Sequence, residues 1–332
     1  NGVIMVTTKK GRAGKPQTSY NGYVGEEKVT SNLKLMNVTQ LRDYVKNNGN
    51  TLSTNDDLGA NTDWMKAIEK PQAISYNNNI SFSGGSDKST YSASLNYLNK
   101  DGVLLASSMR RVIARLSLEH LALNDKLKLG LNITNASTTN NNVPLQNVVL
   151  QQAAIHLPVS PVYNTDGSYF ENFNTPGYFN PVSLIKNAQN QTKYNALQGN
   201  FTAEAKLPFG FKYNLNLAYQ KNTSLHGEYY DSYYSDHYNS GFYTNPDPGF
   251  SGKYLITFGT GGQAYRSSYT NASTTVESYL TWDKKINKHS INAVIGYSWQ
   301  NNTTGDGLQA SNTNFVSEYT GYRNLALGNY LA

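Results

Sequence analysis

The chain has no cysteine, which excludes disulfide cross-links, thiolate metal ligands and cysteine nucleophiles. It also lacks long apolar runs: nothing approaches the ~18 unbroken apolar residues of a membrane-crossing helix. Charged residues make up only 15% of the 332 and mean hydropathy is −0.57, so a helical membrane protein is excluded. The net charge of +6 is scattered apart from Lys9, Lys10, Arg12 and Lys15, a cluster read as a solvated connection, so no nucleic-acid partner is expected. The five histidines, His120, His156, His226, His237 and His289, show no HExxH or paired-ligand spacing. His226 and His237, flanking an acidic aromatic stretch, read as solvated loop residues rather than metal ligands. "GTGGQ", Gly259 to Gln263, does not follow a strand into a helix, as a phosphate-binding loop would. No catalytic constellation, cofactor or metal site is expected, and an enzyme is not the reading. There is no initiator methionine and no signal peptide; "NGVIMVTTKKG" already reads as a buried strand, so a piece of a longer protein is expected.

What is abundant is tyrosine, with 26 residues, among many Asn, Ser, Thr and Gly. "STYSASLNYLN", Ser89 to Asn99, places Tyr91, Ala93, Leu95 and Tyr97 on one side and Ser92, Ser94 and Asn96 on the other. That is the period-2 signature of a strand between two different environments. At about 9–11 residues it also has the length a tilted strand needs to cross a bilayer. The pattern recurs from Val112 to Leu121, Leu127 to Asn135, Leu197 to Leu207, Phe211 to Gln220, Thr275 to Trp282 and Ile291 to Trp299. Weaker strands near Thr18–Gly25 and Tyr76–Ser83 make about nine. Arg115, Glu119, Glu204, Lys206 and Glu277 all fall on the less apolar face, where a polar lumen would put them.

Connections alternate. Short turns ("GGSDK", "LALND", "LPFG", "DKKINK") lie at one end, and longer loops (31–74, 100–109, 137–193, 222–269 and the stretch after 301) lie at the other. An all-β, antiparallel transmembrane β-barrel segment sorts its loops this way, whereas a soluble sandwich has no reason to. Phe209, Phe211 and Trp282 beside the turns, and Tyr219, Tyr297 and Trp299 toward the loops, suit interfacial girdles. Short helices are expected in the long loops: one capped by Asn37 with Gln40 three residues on and stopped at Gly49, one around Trp64 and Ile68, and one running up to Pro158.

Taken in order, "NGVIMVTTKKG", "SYNGYVGEEKV", "DWMKAI", "NNNISFSGGSDKSTYSASLNYLNKDGVL" and "RRVIARLSLEHLALNDKLKLGLNITNAS" resemble the SusC-like, also called RagA-like, TonB-dependent outer-membrane transporters. The resemblance is most specific from Asn1 to about Asn142, looser from Leu145 to Phe179, and beyond that one of barrel pattern only. It implies that residues 1–15 end a plug domain and pass into the barrel, and that 16–332 form the first part of a larger plugged barrel of roughly 22 strands. It further implies an outer-membrane location, a SusD-like surface lipoprotein as lid, and a TonB complex acting through N-terminal segments outside this sequence. The cargo would be a large oligosaccharide or peptide. A passive porin or a secreted glycan-binding adhesin is the alternative.

Substrate contact is expected from the aromatic loop "GEYYDSYYSDHYNSGFY". Tyr229, Tyr230, Tyr233, Tyr234, Tyr238, Phe242 and Tyr243 offer flat faces with polar groups beside them, though they could equally pack against neighbouring loops or a partner.

Overall fold

A computed structural model describes residues 11, 13–30, 33–172, 177–238, 243–244, 254–255, 261–286 and 288–331. The first ten residues, and with them the strand expected at "NGVIMVTTKKG", lie outside the described residues, as does most of the 1–15 segment.

The strands are β1 (Gly14–Glu27), β2 (Ala73–Gly85), β3 (Ser89–Asp101), β4 (Ser108–Ala122), β5 (Leu127–Asn141), β6 (Ala188–Lys206), β7 (Phe211–Tyr230), β8 (Tyr243–Thr244), β9 (Tyr254–Leu255), β10 (Gln263–Ile286), β11 (His289–Thr313) and β12 (Asn329–Tyr330). All but β8 and β9, which pair with each other, form one antiparallel sheet in which every strand lies beside its neighbours in sequence. The nine long strands are those read from the alternation. They run further toward the long loops than expected: β6 begins at Ala188 and β11 ends at Thr313. No described helix is long and apolar enough to cross a membrane.

Register shows why both faces persist. One cross-strand row runs Tyr91, Leu118, Leu131, Phe201, Leu217, Val276, Trp299. The row on one side of it reads Ser92, Ser117, Asn132, Asn200, Ala218, Thr275, Gln300; the row on the other reads Thr90, Glu119, Gly130, Thr202, Asn216, Glu277, Ser298. The polar face is knitted together: Asn200 Nδ2 donates to Asn216 Oδ1 (2.5 Å), and Asn216 Nδ2 donates to Glu277 Oε2 (2.7 Å). Exposure is inverted relative to a water-soluble sheet. In β4, Val112, Ala114, Leu116 and Leu118 are exposed, while Arg111, Ile113, Ser117 and Glu119 between them are half-buried. Hydrocarbon is the solvent in which such a face is stable.

The apolar band has membrane dimensions. From Phe211 to Tyr219, ~3.3 Å per residue at a ~40° tilt spans roughly 20 Å, against an apolar band of about 25 Å in outer-membrane barrels. Its turn end is marked by aromatics: Trp282 stacks on Phe211 (6.0 Å) and donates from Nε1 to the Phe209 carbonyl (3.0 Å). Phe209 itself is 86% exposed. Changing Phe201→Arg is therefore expected to cost ~2–4 kcal/mol and to deplete assembled receptor in membranes, whereas Asn200→Arg, one residue away on the polar face, leaves assembly intact. Heat-modifiable gel mobility of membrane fractions measures both.

Candidate functional site

The turn end is spare. Residues 86–88, 123–126, 207–210 and 287–288 connect the strands there, the second through consecutive left-handed residues Leu123, Asn124 and Asp125. The other end carries the long connections 28–72, 142–187 and 231–262; its fourth, 102–107, is shorter than the rest. That short loop is not free. Leu105 N donates to the Ile68 carbonyl (2.8 Å), and Lys70 N donates to that of Val103 (2.8 Å).

Among the described residues the long loops carry five α-helices: α1 (Val38–Asn47), α2 (Trp64–Ala67), α3 (Gln146–Ile155), α4 (Pro181–Lys186) and α5 (Ser232–Tyr238). The Asn37/Gln40 capping box of α1 is formed in both directions. Four of these helices build a dry core: Trp64 and Ile68, Val149 and Ala153, Val182, Leu184 and Ile185, and Tyr234 and Tyr238 pack into one buried cluster with Val143, Phe179 and Tyr230. The loops thus supply a water-excluding core of the kind that the two-faced sheet lacks.

Several polar groups inside this cap are matched. Asn180, fully buried, caps α4 by accepting from Val182 N and Ser183 N, and its Nδ2 donates to the carbonyls of Val162 (2.7 Å) and Phe170 (3.0 Å). Glu171 accepts from Asn180 N (2.9 Å) and from the Tyr238 hydroxyl, which also meets Ser183 Oγ at 2.6 Å. Burial raises the Glu171 carboxyl above its usual range, although these hydrogen bonds oppose the shift. His156 stacks on Tyr178 (3.9 Å) and against Trp64 (4.5 Å). Burial lowers its pKa to about 4, so it is neutral at physiological pH.

The aromatic loop is largely interior. Tyr229 and Tyr230 end β7 and are buried; Tyr234 and Tyr238 are fully buried in α5, with the Tyr234 hydroxyl donating to the Leu184 carbonyl. These four present no open face within this chain: Tyr230, Tyr234 and Tyr238 pack into the loop core, and Tyr229 packs on the other side of the sheet against Phe315. Tyr233 is half-exposed, stacked on His237 (3.8 Å) and edge-on to Tyr169 (5.9 Å). Phe242 and the Tyr243 side chain lie outside the described residues. His226 and His237 do not converge: His226 meets Glu228 (3.1 Å) and Thr192 (3.0 Å), while His237 meets the Tyr233 carbonyl (2.9 Å). Of "GTGGQ", the described Gly261 and Gly262 hold the chain after β11, accepting from Phe315 N and Asn314 N.

Sequence reasoning missed α4 and α5. The Asn180–Pro181 pair, an N-cap followed by proline at the first helical position, was the available signal for α4.

A second small cluster lies on the opposite face. Residues 314–328 fold back so that Tyr322 packs with Tyr229, Ala264 and Phe315. The Tyr322 ring sits on Gly227, where a Cβ would lie 2.0 Å from it, and the Tyr322 hydroxyl donates to Gln191 Oε1 (2.6 Å). Where this tail meets α5, Glu318 Oε1 accepts from Ser232 N (2.6 Å). Burial first, and then Glu318, raise the Asp231 pKa to about 7.

No family model matches the chain. It is 29% identical to TonB-dependent receptor P3 of Formosa agariphila over 99% of its own length and 31% of that protein. To TonB-dependent receptor SusC of Bacteroides thetaiotaomicron it is 34% identical over 54% of its length and 19% of that protein. The chain thus spans about a third of the first of these relatives and less of the second. By fold it matches the RagAB peptide importer in its open-open state (TM-score 0.69, 18% identity, 98% of this chain and 38% of that one) and closed-closed state (TM-score 0.68, 18% identity, 97% and 38%). Inverted strand faces, sorted connections and likeness over nearly every residue agree: this chain is an outer-membrane β-barrel segment similar to part of the SusC-like TonB-dependent receptors.

Proposed function

We propose that the chain forms the plug exit (residues 1–15) and first barrel part (16–332) of an energised importer for large nutrients. Cargo, an oligosaccharide or a peptide, is captured outside by the long loops under a SusD-like lipoprotein lid. Force from the TonB complex then rearranges the plug. No chemical transformation is involved. The observation carrying this reading is the pairing of a lipid-facing sheet with a folded loop cap on one rim. The match to the RagAB peptide importer supports a peptide as cargo.

Within the aromatic loop, Tyr233 is the described ring placed to touch cargo in the closed cap. Tyr238 packs edge-on against it, and Tyr229, Tyr230, Tyr234 and Tyr238 would meet cargo only if the cap opened; Phe242 and Tyr243 complete the candidate set. Tyr233→Ala in the complete receptor with its lipoprotein is expected to weaken cargo binding by roughly tenfold or less, the range of one aromatic contact. Unchanged affinity in calorimetry removes the aromatic loop from the site. Uptake of labelled peptides or oligosaccharides that stops on collapse of the proton gradient separates an importer from a porin. Retention of the receptor in carbonate-washed membranes separates it from an adhesin.

A further inference from the structure

The two faces of the sheet differ in charge as well as in polarity. The polar face carries both signs: Glu119, Glu204 and Glu277 line one cavity on it together with Lys128. The outward, lipid-side face carries one sign where it leaves the membrane. Toward the loops its apolar band ends at Tyr97 on β3, Val112 on β4, Leu197 on β6 and Tyr219 on β7. The next positions on that same face are Asn99, Arg110, Asn195 and Lys221, with Lys193 following Asn195.

Register brings these cations together. Arg110, Thr139 and Lys193 lie in one cross-strand row, so Arg110 and Lys193 stand about 10 Å apart, two strand spacings, with the threonine between them. Lys221 lies on the next strand, four residues nearer the band than the partner of Lys193, Leu225. All three cations are exposed, and none has an acidic partner among the described residues. Arg110 Nε donates to Asn99 Oδ1 (3.3 Å), which steadies the guanidinium without neutralising it. From β4 to β10 the outward strand positions beyond the band add one more cation, Arg266, and no carboxylate.

Their height is that of lipid headgroups. Arg110 and Lys221 are two residues beyond the band and Lys193 four, which at ~3.3 Å per residue and a ~40° tilt is roughly 5 and 10 Å. The interfacial layer of a bilayer occupies roughly 5–8 Å on each side of its hydrocarbon core, and a long lysine side chain spans the difference. Tyr97, with Tyr76 against it (5.9 Å), and Tyr219 mark the same level as the membrane interface. Basic groups clustered at this level, with no carboxylate among them, suit anionic lipid.

We propose that Arg110, Thr139 and Lys193, with Lys221 below them, bind the phosphate of an anionic lipid in the outer leaflet, whose acyl chains lie along Val112, Ile133 and Leu197. Arg110 forks onto two phosphate oxygens and Lys193 approaches as a point charge. The site is continuous with the lipid-facing band and is independent of what the receptor carries.

The test uses the complete receptor with its lipoprotein partner in neutral detergent, titrated with phosphatidylglycerol, phosphatidylcholine or inorganic phosphate and read by native mass spectrometry and thermal shift. Phosphatidylglycerol is expected to bind on the order of 100-fold more tightly than phosphatidylcholine, at about fivefold per basic side chain. Arg110→Gln and Lys193→Gln each lose about fivefold, and the triple variant with Lys221→Gln loses the preference while its heat-modifiable mobility is unchanged. Lys34→Gln, Lys46→Gln and Lys66→Gln together remove three exposed loop cations and leave the preference intact. In the unaltered receptor, 1 M salt, with its Debye length of ~3 Å, removes most of the preference. Equal binding of the two lipids overturns the site, and so does an equal loss in the loop triple, which would show an effect of net charge alone. Inorganic phosphate binding as tightly as phosphatidylglycerol would mark a soluble-anion site and overturn the lipid. None of these outcomes bears on whether the receptor imports.

Discussion

Leu184→Ala is expected to destabilise the loop cap by ~2–5 kcal/mol, the range for deleting a fully buried leucine, and to loosen three loops together while the sheet stays formed. Leu184 lies in α4 at the centre of the apolar cluster, and its carbonyl receives the Tyr234 hydroxyl from α5. The sheet shares little of that core, since its own stability comes from strand pairing and from lipid. Hydrogen exchange should therefore lose protection in residues 63–70, 146–156, 181–186 and 232–238 at once, with the amides of β3 to β5 unchanged. Loss confined to 181–186 would show that the loops are independent.

The second large effect is on pH, and its sign differs between two places in the cap. His156 has a folded pKa near 4, below its unfolded value, because burial disfavours the imidazolium. The unfolded segment binds a proton more readily, so the stability of the α3–α4 region is full above about pH 6.5 and is lost as pH falls toward 4, by ~3 kcal/mol at the limit. Asp231 behaves oppositely. Its folded pKa is raised to about 7 by burial and by Glu318, so the folded form binds the extra proton; the contact between α5 and residues 314–328 is strongest at acid pH and weakens as pH rises from about 4 through 7. Exchange protection at 146–156 should rise across this window, while that at 231–238 and 317–322 falls. Asp231→Asn should flatten the second trend alone, and His156→Phe the first. A common slope in both segments would contradict this assignment of groups.

Much of the sheet was legible because a strand between lipid and water must alternate. Leu127, Leu129 and Leu131 against Lys128, Gly130 and Asn132 could be read from spacing alone, and so could the turns between strands. The outer halves of β6, β7, β10 and β11 were not. Above the membrane both faces meet water or loops, so stretches such as 188–196 and 300–313 are polar on both sides and carry no period. The cap was illegible for another reason: its core joins Ile68, Val149, Leu184 and Tyr234 from separate loops, and no local pattern says which loops meet. Tyrosine faces that read as open in the sequence, Tyr234 and Tyr238 above all, are closed by that pairing. The shared row of Arg110, Thr139 and Lys193 is likewise visible only once β4, β5 and β6 are in register.

The tail that lays Tyr322 on Gly227 bears on how the barrel assembles. It touches β7 through the ring, β6 through Gln191 and β10 through Ala264, so it can seat only after those three strands have zipped in proper alignment. A slip of β7 by one residue would present His226 or Glu228 to the ring, and neither leaves the hollow that glycine does. The strap therefore fits only strands in this alignment, and its seat on Gly227 is a late contact that depends on three strands at once.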